Sequence, residues 1–273
     1  MTPIRPKFSN PPLIERALSV AFSPIDGFSV ADYGLFWTAI RAEFPVVETR
    51  DPVQNLVERF DRFPSVEPGL QIIEGHPLPR ALYSNPEAGE LVQVQPDRFS
   101  FNWLKAGDEH RYPHSEATLT RFTELFGRFK AFLASRSLAQ PVVIQCEITN
   151  VNIVPISDVG ESFADMATVL KFAPLGEICP EVKLEHQMVA SKHFMLDDSG
   201  QPFGRVHAIA QPSMSVPAND LVYRFDIAAR GVPIGSSVDP ISAFFERAAS
   251  AINGVFLASV TKAGRQFWGE YNG

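Results

Sequence analysis

The sequence predicts an α+β fold: a large antiparallel sheet with helices packed on one face. Three observations predict it. Many short segments alternate apolar and polar residues, two long segments carry phenylalanine stripes at helical spacing, and the order of elements occurs twice along the chain.

The first strand spans Leu13 to Phe22, where Leu18, Val20 and Phe22 alternate with Ala17, Ser19 and Ala21. A turn at Pro24 to Gly27 leads into a helix from about Val30 to Phe44, with Leu35, Phe36, Ile40 and Phe44 at helical spacing. Pro45 ends it, because proline lacks the N–H and clashes with the preceding turn. Residues 46–79 are rich in proline and mixed in charge, with no sustained period. They read as an irregular excursion with one helical turn near Leu56 to Phe60. A connection of that length is functional or a cover.

Arg80 to Lys105 divides into three strands at two turns, Asn85 to Gly89 and Pro96-Asp97. The second hairpin specifies its own register. With Gln95 opposite Arg98, Val94 meets Phe99, Gln93 meets Ser100 and Val92 meets Phe101, so apolar faces apolar and polar faces polar. A slip of one residue would reverse every side chain.

A helix from about Ser115 to Ser135 follows, its stripe formed by Phe122, Leu125, Phe126, Phe129, Phe132 and Leu133. Val142 to Val154 is the next strand. A weak helical stretch, Ser162 to Phe172, precedes three strands: Val182 to Leu196, Gly204 to Gln211 and Leu221 to Arg230. The turn Asp197 to Gly200 joins the first two. The last helix runs from Pro240 to about Val260, with Phe244, Phe245, Ala248, Ile252 and Phe256 along one side. Each half thus reads strand, helix, three strands, helix. We expect two structural repeats, residues 1–140 and 141–273, sharing one sheet, an order seen in saddle-like folds built from paired units.

With helices on one sheet face, strand alternation assigns the residues of the other. In the first half these are Glu15, Ser19, Gln93, Gln95, Arg98, Ser100, Asn102, Gln145, Glu147 and Thr149. In the second half they are His186, His207, Arg224 and Asp226. The face is a solvated sheet surface with pairs such as Arg98–Glu147, or it recognises a partner. Glutamine and asparagine in this number favour recognition. The candidate partner-binding residues are Gln93, Gln95, Arg98, Asn102, Glu15, Glu147, His186, Arg224 and Asp226.

Chemistry leaves few traces. The phosphate-cradling, dinucleotide, zincin and nucleophile-elbow motifs do not occur in the sequence. His186, His193 and His207 with Asp197 and Asp198 match no standard metal spacing. Cys146 shares the apolar parity of its strand and reads as a buried thiol. Glu15 and Glu147 are the carboxylates placed on a common face, without a cleft to pair them for acid–base work. No catalytic residue, metal or cofactor is assigned, and the reading leans away from an enzyme.

A formal charge of −7 argues against non-specific nucleic-acid binding, which relies on lysine and arginine neutralising phosphates. Two cysteines outside any CxxC spacing suit a reducing compartment. With no leader or membrane span expected, cytoplasmic placement is the expectation. The sequence leaves a homo-oligomer open.

Three segments carry a resemblance: Asn10-Pro11-Pro12-Leu13-Ile14-Glu15, Leu91 to Phe99 continuing to Asn102-Trp103, and Cys146 to Asn152. Together they resemble a sporadically distributed family of uncharacterised bacterial and archaeal proteins of similar length. That family brings no established activity and transfers no catalytic residue. Its patchy distribution implies a defence or toxin–antitoxin setting. The expectation is a protein-binding accessory subunit recognising its partner through the polar sheet face. The alternative is an enzyme or small-ligand receptor with a pocket between the sheet and the 46–79 excursion.

Overall fold

The computed structural model describes residues 7–61, 78–107, 112, 114–172, 179–216, 219–233 and 239–271. Its centre is a nine-stranded, wholly antiparallel sheet. The strands are β2 (Leu13–Phe22), β3 (Val46–Arg50), β4 (Arg80–Asn85), β5 (Glu90–Gln95), β6 (Arg98–Leu104), β7 (Val143–Pro155), β8 (Val189–Leu196), β9 (Pro202–Met214) and β10 (Leu221–Gly231). Their order is β3-β4-β5-β6-β2-β7-β10-β9-β8. β2 and β7 pair at the centre, with β3 to β6 on one side of that pair and β8 to β10 on the other.

Three helices cover one face: α1 (Val30–Ile40), α2 (His114–Ser135) and α3 (Pro240–Ser259). Alternation supplies the surface they cover. Leu18, Val20 and Phe22 of β2, Phe99 and Phe101 of β6, Cys146 and Ile148 of β7, and Phe225 and Ile227 of β10 are all buried. Phe129 of α2 is wholly buried and packs its ring against Phe22, Phe28, Phe36, Phe99 and Phe132. Where α2 meets α3, Phe122 and Phe245 lie edge to face with ring centres 5.0 Å apart. Burial pushes the Cys146 thiol pKa up, as suits a core residue.

Local chemistry fixes the helix ends. Asp239 accepts hydrogen bonds from Ile241 N and Ser242 N, with Pro240 in the first turn, so α3 begins capped. Asp32 accepts from Ser29 N and Oγ at the start of α1, and from Arg136 Nε just beyond α2 at 3.0 Å. A buried carboxylate therefore joins two helices. Gly89 turns the β5 entry at φ +61°, and a Cβ there would lie 2.2 Å from the Leu104 carbonyl oxygen. Only glycine tolerates both conditions.

The β5–β6 register is the one expected from the sequence, from Gln95 opposite Arg98 to Val92 opposite Phe101. Five segments differ. α1 ends at Ile40 and not at Phe44, because Glu43 N and Phe44 N both bond back to the Ile40 carbonyl and close a turn ahead of Pro45. Val46–Arg50 is the edge strand β3, where an irregular excursion was expected. All its residues are exposed, so it has no burial alternation to read. The expected helix Ser162 to Phe172 is a short 3-10 turn, Phe163–Thr168. Asp165 draws Glu161 N and Ser162 N onto itself, and Leu170 then pairs with Val260, which ends any helix. β8 begins at Val189 rather than Val182. The helical turn near Leu56 is absent.

A two-residue strand β1 (Lys7–Phe8) pairs with β11 (Glu270–Tyr271), which follows the short helix α4 (Lys262–Phe267). Phe8 seats its ring edge-on to Phe256 of α3, 5.8 Å away. This ribbon closes one end of the helical layer.

The Phe129→Ala variant is expected to lose about 3–5 kcal/mol of unfolding free energy, since the removed ring leaves a cavity among five others. Phe126→Ala falls in the same range, because that ring stacks on Phe122 and packs at a tilt against Phe99. Urea unfolding checks both. A midpoint equal to that of the unaltered chain would remove the stripe from the core.

Candidate functional site

The sheet face opposite the helices is polar and is crossed by residues 51–61, here termed the strap. Two glutamine side chains hold the strap by its main chain. Val53 N donates to Gln95 Oε1 at 2.7 Å, and Gln95 Nε2 donates back to Val53 O at 3.0 Å. Glu58 N donates to Gln145 Oε1 at 2.7 Å, and Gln145 Nε2 donates to Leu56 O at 2.6 Å. A primary amide offers both a donor and an acceptor, so each glutamine imitates a neighbouring strand for one step of the strap. These main-chain groups are spent on the sheet face and not on each other. That is why no helical turn forms near Leu56.

A chain of alternating charge runs under the strap from the Gln95 side, past Gln145 on β7, to β9. Asn55 of the strap donates to Asp97 Oδ2 at 2.8 Å and accepts from Arg98 Nη1 at 3.2 Å. Arg98 Nη2 stands 3.4 Å from Glu147 Oε2, which also accepts from Arg230 Nε at 2.9 Å. Arg230 Nη1 is 3.9 Å from Glu58 Oε1. Glu58, reaching down from the strap, accepts from Arg205 through Oε2 and pairs with His207 Nε2 through Oε1 at 2.5 Å. The Arg205 guanidinium lies over the rings of Phe60 and Phe194, at 5.3 and 5.1 Å. Strap and sheet are therefore joined by glutamine amides at two points, by Asn55 at a third and by the buried carboxylate of Glu58 at a fourth.

The carboxylates carry the electrostatic signature of this arrangement. Burial alone would raise the Glu58 pKa. The hydrogen bond from His207 and the charges of His207 and Arg205 outweigh it and hold the carboxyl below its ordinary value. Glu147 follows the same pattern, with burial opposed by Arg230 and Arg98, and by hydrogen bonds from Arg230 and Thr149.

The residues expected on this face fall into four groups. Gln95, Arg98 and Glu147 meet the strap or its charge chain. Gln93, Asn102 and Glu15 form a separate row, in which Arg80 donates to Gln93, Gln93 to Asn102, and Asn102 to Glu15. Arg224 and Asp226 pair with each other near the far end of β10, at 2.8 Å. His186 does not join the face. It precedes β8 and packs its ring against Phe163, which in turn meets Tyr223 on the helix side. The strand assumed to carry it begins three residues later, so its parity had no sheet to refer to.

The histidines and aspartates that match no metal spacing in the sequence have separate roles. Asp197 closes the β8–β9 turn by accepting from Ser199 N and Gln201 N, Asp198 pairs with Arg247, and His207 is taken by Glu58.

Four contributors escaped sequence reasoning: Asn55, Glu58, Arg205 and Arg230. Two were within reach. Arg205 and Arg230 share the parity of His207 and Asp226 on their strands, so extending the alternation would have found them. Asn55 and Glu58 lie on an irregular segment and carry no such signal.

In comparisons with protein families, curated proteins and solved structures, nothing matches this chain.

A carboxylate with a lowered folded-state pKa contributes stability above its unfolded value and loses it as pH falls through the lowered one. Glu58 and Glu147 should thus keep the strap docked at neutral pH and release it only below the ordinary carboxylate range. For Glu58→Gln we expect amide hydrogen exchange at Val53 and Glu58 to accelerate by at least about tenfold at pH 7, the equivalent of about 1.4 kcal/mol. The β5–β6 amides should be unchanged, because that hairpin is held by its own ladder. Equal protection in the variant and the unaltered chain would show that the carboxylate does not hold the strap.

Proposed function

We propose that this chain is a protein-binding accessory subunit whose contact element is the strap, displayed by the polar sheet face. One observation carries the reading. The strap is anchored by its main chain to Gln95 and Gln145, while the side chains of Val53, Leu56 and Val57 remain exposed. Single exposed apolar residues are ordinary on protein surfaces. Three within five positions, on a segment whose backbone is already fixed, form an ordered apolar contact whose entropy cost is met before a partner arrives.

The alternative places an enzyme or receptor pocket between the sheet and the excursion. It requires room under the strap. At Val53, Leu56 and Glu58 the strap sits at hydrogen-bond distance from the face, which favours the display reading.

The test is co-expression with the products of flanking genes, the setting implied by a patchily distributed accessory protein. Leu56→Asp and Val57→Asp should each weaken a recovered complex by at least about tenfold, the lower range of effect for a central contact residue. Gln95→Ala and Arg98→Ala should weaken it less, through loss of strap order, with melting temperatures close to the unaltered chain. Full complex formation by Leu56→Asp and Val57→Asp, or no complex with any flanking product, would overturn the proposal.

A further inference from the structure

On the helix side of the same sheet, a cavity of about 720 Å³ opens among β1, β2, β6, β7, α3 and the start of α2. That is the size of pocket that holds a small organic ligand. Its floor contains a charged group with no ordinary reason to be there. Arg16 follows the parity of Leu18 and Val20, so alternation turns its guanidinium toward the helical layer and away from the polar face. It is 2 % exposed, and its Nε has no hydrogen-bond partner among the described residues.

A guanidinium does not discharge itself by losing its proton near neutral pH. A buried one is therefore costly unless an anion or several acceptors compensate it. The ring of Tyr112 supplies part of that compensation, with its centre 5.7 Å from the guanidinium carbon. The register sets Asn150 of β7 directly beside Arg16, and Asn150 Oδ1 is a second buried polar atom without a partner. A free donor and a free acceptor thus line one cavity from adjacent strands. Its walls include Trp103, Tyr112 and Phe256. Its lining carries the cations Lys7, Arg16 and Lys105 against the single carboxylate Glu116 among the described residues.

From these features we infer that the cavity binds a small carboxylic acid with an aromatic body and a hydroxyl or amino group next to the carboxylate. Arg16 receives the carboxylate through its planar donor fork. Asn150 Oδ1 accepts from the adjacent hydroxyl or ammonium. Directly paired strand residues are about 4.5–5.5 Å apart, the separation that suits two neighbouring groups on one ligand. The ring lies along Trp103 and Tyr112. This site is on the opposite sheet face from the strap and does not depend on the strap's role.

The probes are phenyllactate, hydrocinnamate, which lacks the hydroxyl, and hydrocinnamyl alcohol, which lacks the acid. Equilibrium dialysis with the full chain should give saturable binding in the order phenyllactate, hydrocinnamate, alcohol. Arg16→Gln should weaken phenyllactate by at least about tenfold, as expected for a charge-assisted pair. Asn150→Ala should lower phenyllactate to the level of hydrocinnamate and leave hydrocinnamate unchanged. Should Arg16→Gln fail to fold, the Asn150→Ala comparison of the two acids decides alone. Absence of saturable binding by either acid, alcohol binding equal to acid, or either substitution without effect on phenyllactate would overturn the inference.

Discussion

The pairing of β2 with β7 is the contact on which the rest of the molecule depends. It joins the two halves, and its register decides which side chains face the helices and which face the strap. Leu18 beside Ile148 and Val20 beside Cys146 found the core. Ser19 beside Glu147 and Ala21 beside Gln145 found the polar face. Because side chains alternate with a period of two, neither face could shift without the other. The same constraint that buries Phe129 over the sheet also brings Gln145 under the strap.

Burial of charge is the second organising cost. Among the described residues, the strap-side chain of Arg98, Glu147, Arg230, Glu58 and Arg205 alternates in sign, so each charge has an opposite neighbour. Isolated ion pairs at a surface contribute little, about 0–1 kcal/mol. Here the carboxylates are largely shielded, and each accepts from more than one donor. Such a network specifies where the strap lies more than it adds stability. Removing one member leaves its neighbours unpaired unless the strap lifts and water enters.

The two faces meet this cost in different ways. On the polar face, cations and carboxylates come from the chain itself. At Arg16 the compensation comes in part from an aromatic ring, and the donor Nε and the acceptor Asn150 Oδ1 are left over. One face therefore recognises a polypeptide segment already present, and the other offers the outline of a small anion.

Elements whose periodicity records a two-sided environment can be read directly from the residues. The β5–β6 hairpin, the central strands and the two phenylalanine helices each have one face in the core, so burial is written in their alternation or in their stripe. The polar row from Gln93 to Glu147 was legible for the same reason. What that row touches emerges from the folded chain. β3 is exposed on every residue and pairs through its backbone alone, so nothing in its side chains announces it. The strap has no period because its main chain bonds to Gln95 and Gln145, which lie 42 and 87 or more residues away. Its carboxylate Glu58 meets Arg205 and His207 across 147 and 149 residues. Arg16 was hidden by the opposite effect. Its parity placed it with the core, where an arginine has no expected role until the cavity around it is seen. Periodicity reports which face a residue occupies, and only the assembled sheet reports what lies across from it.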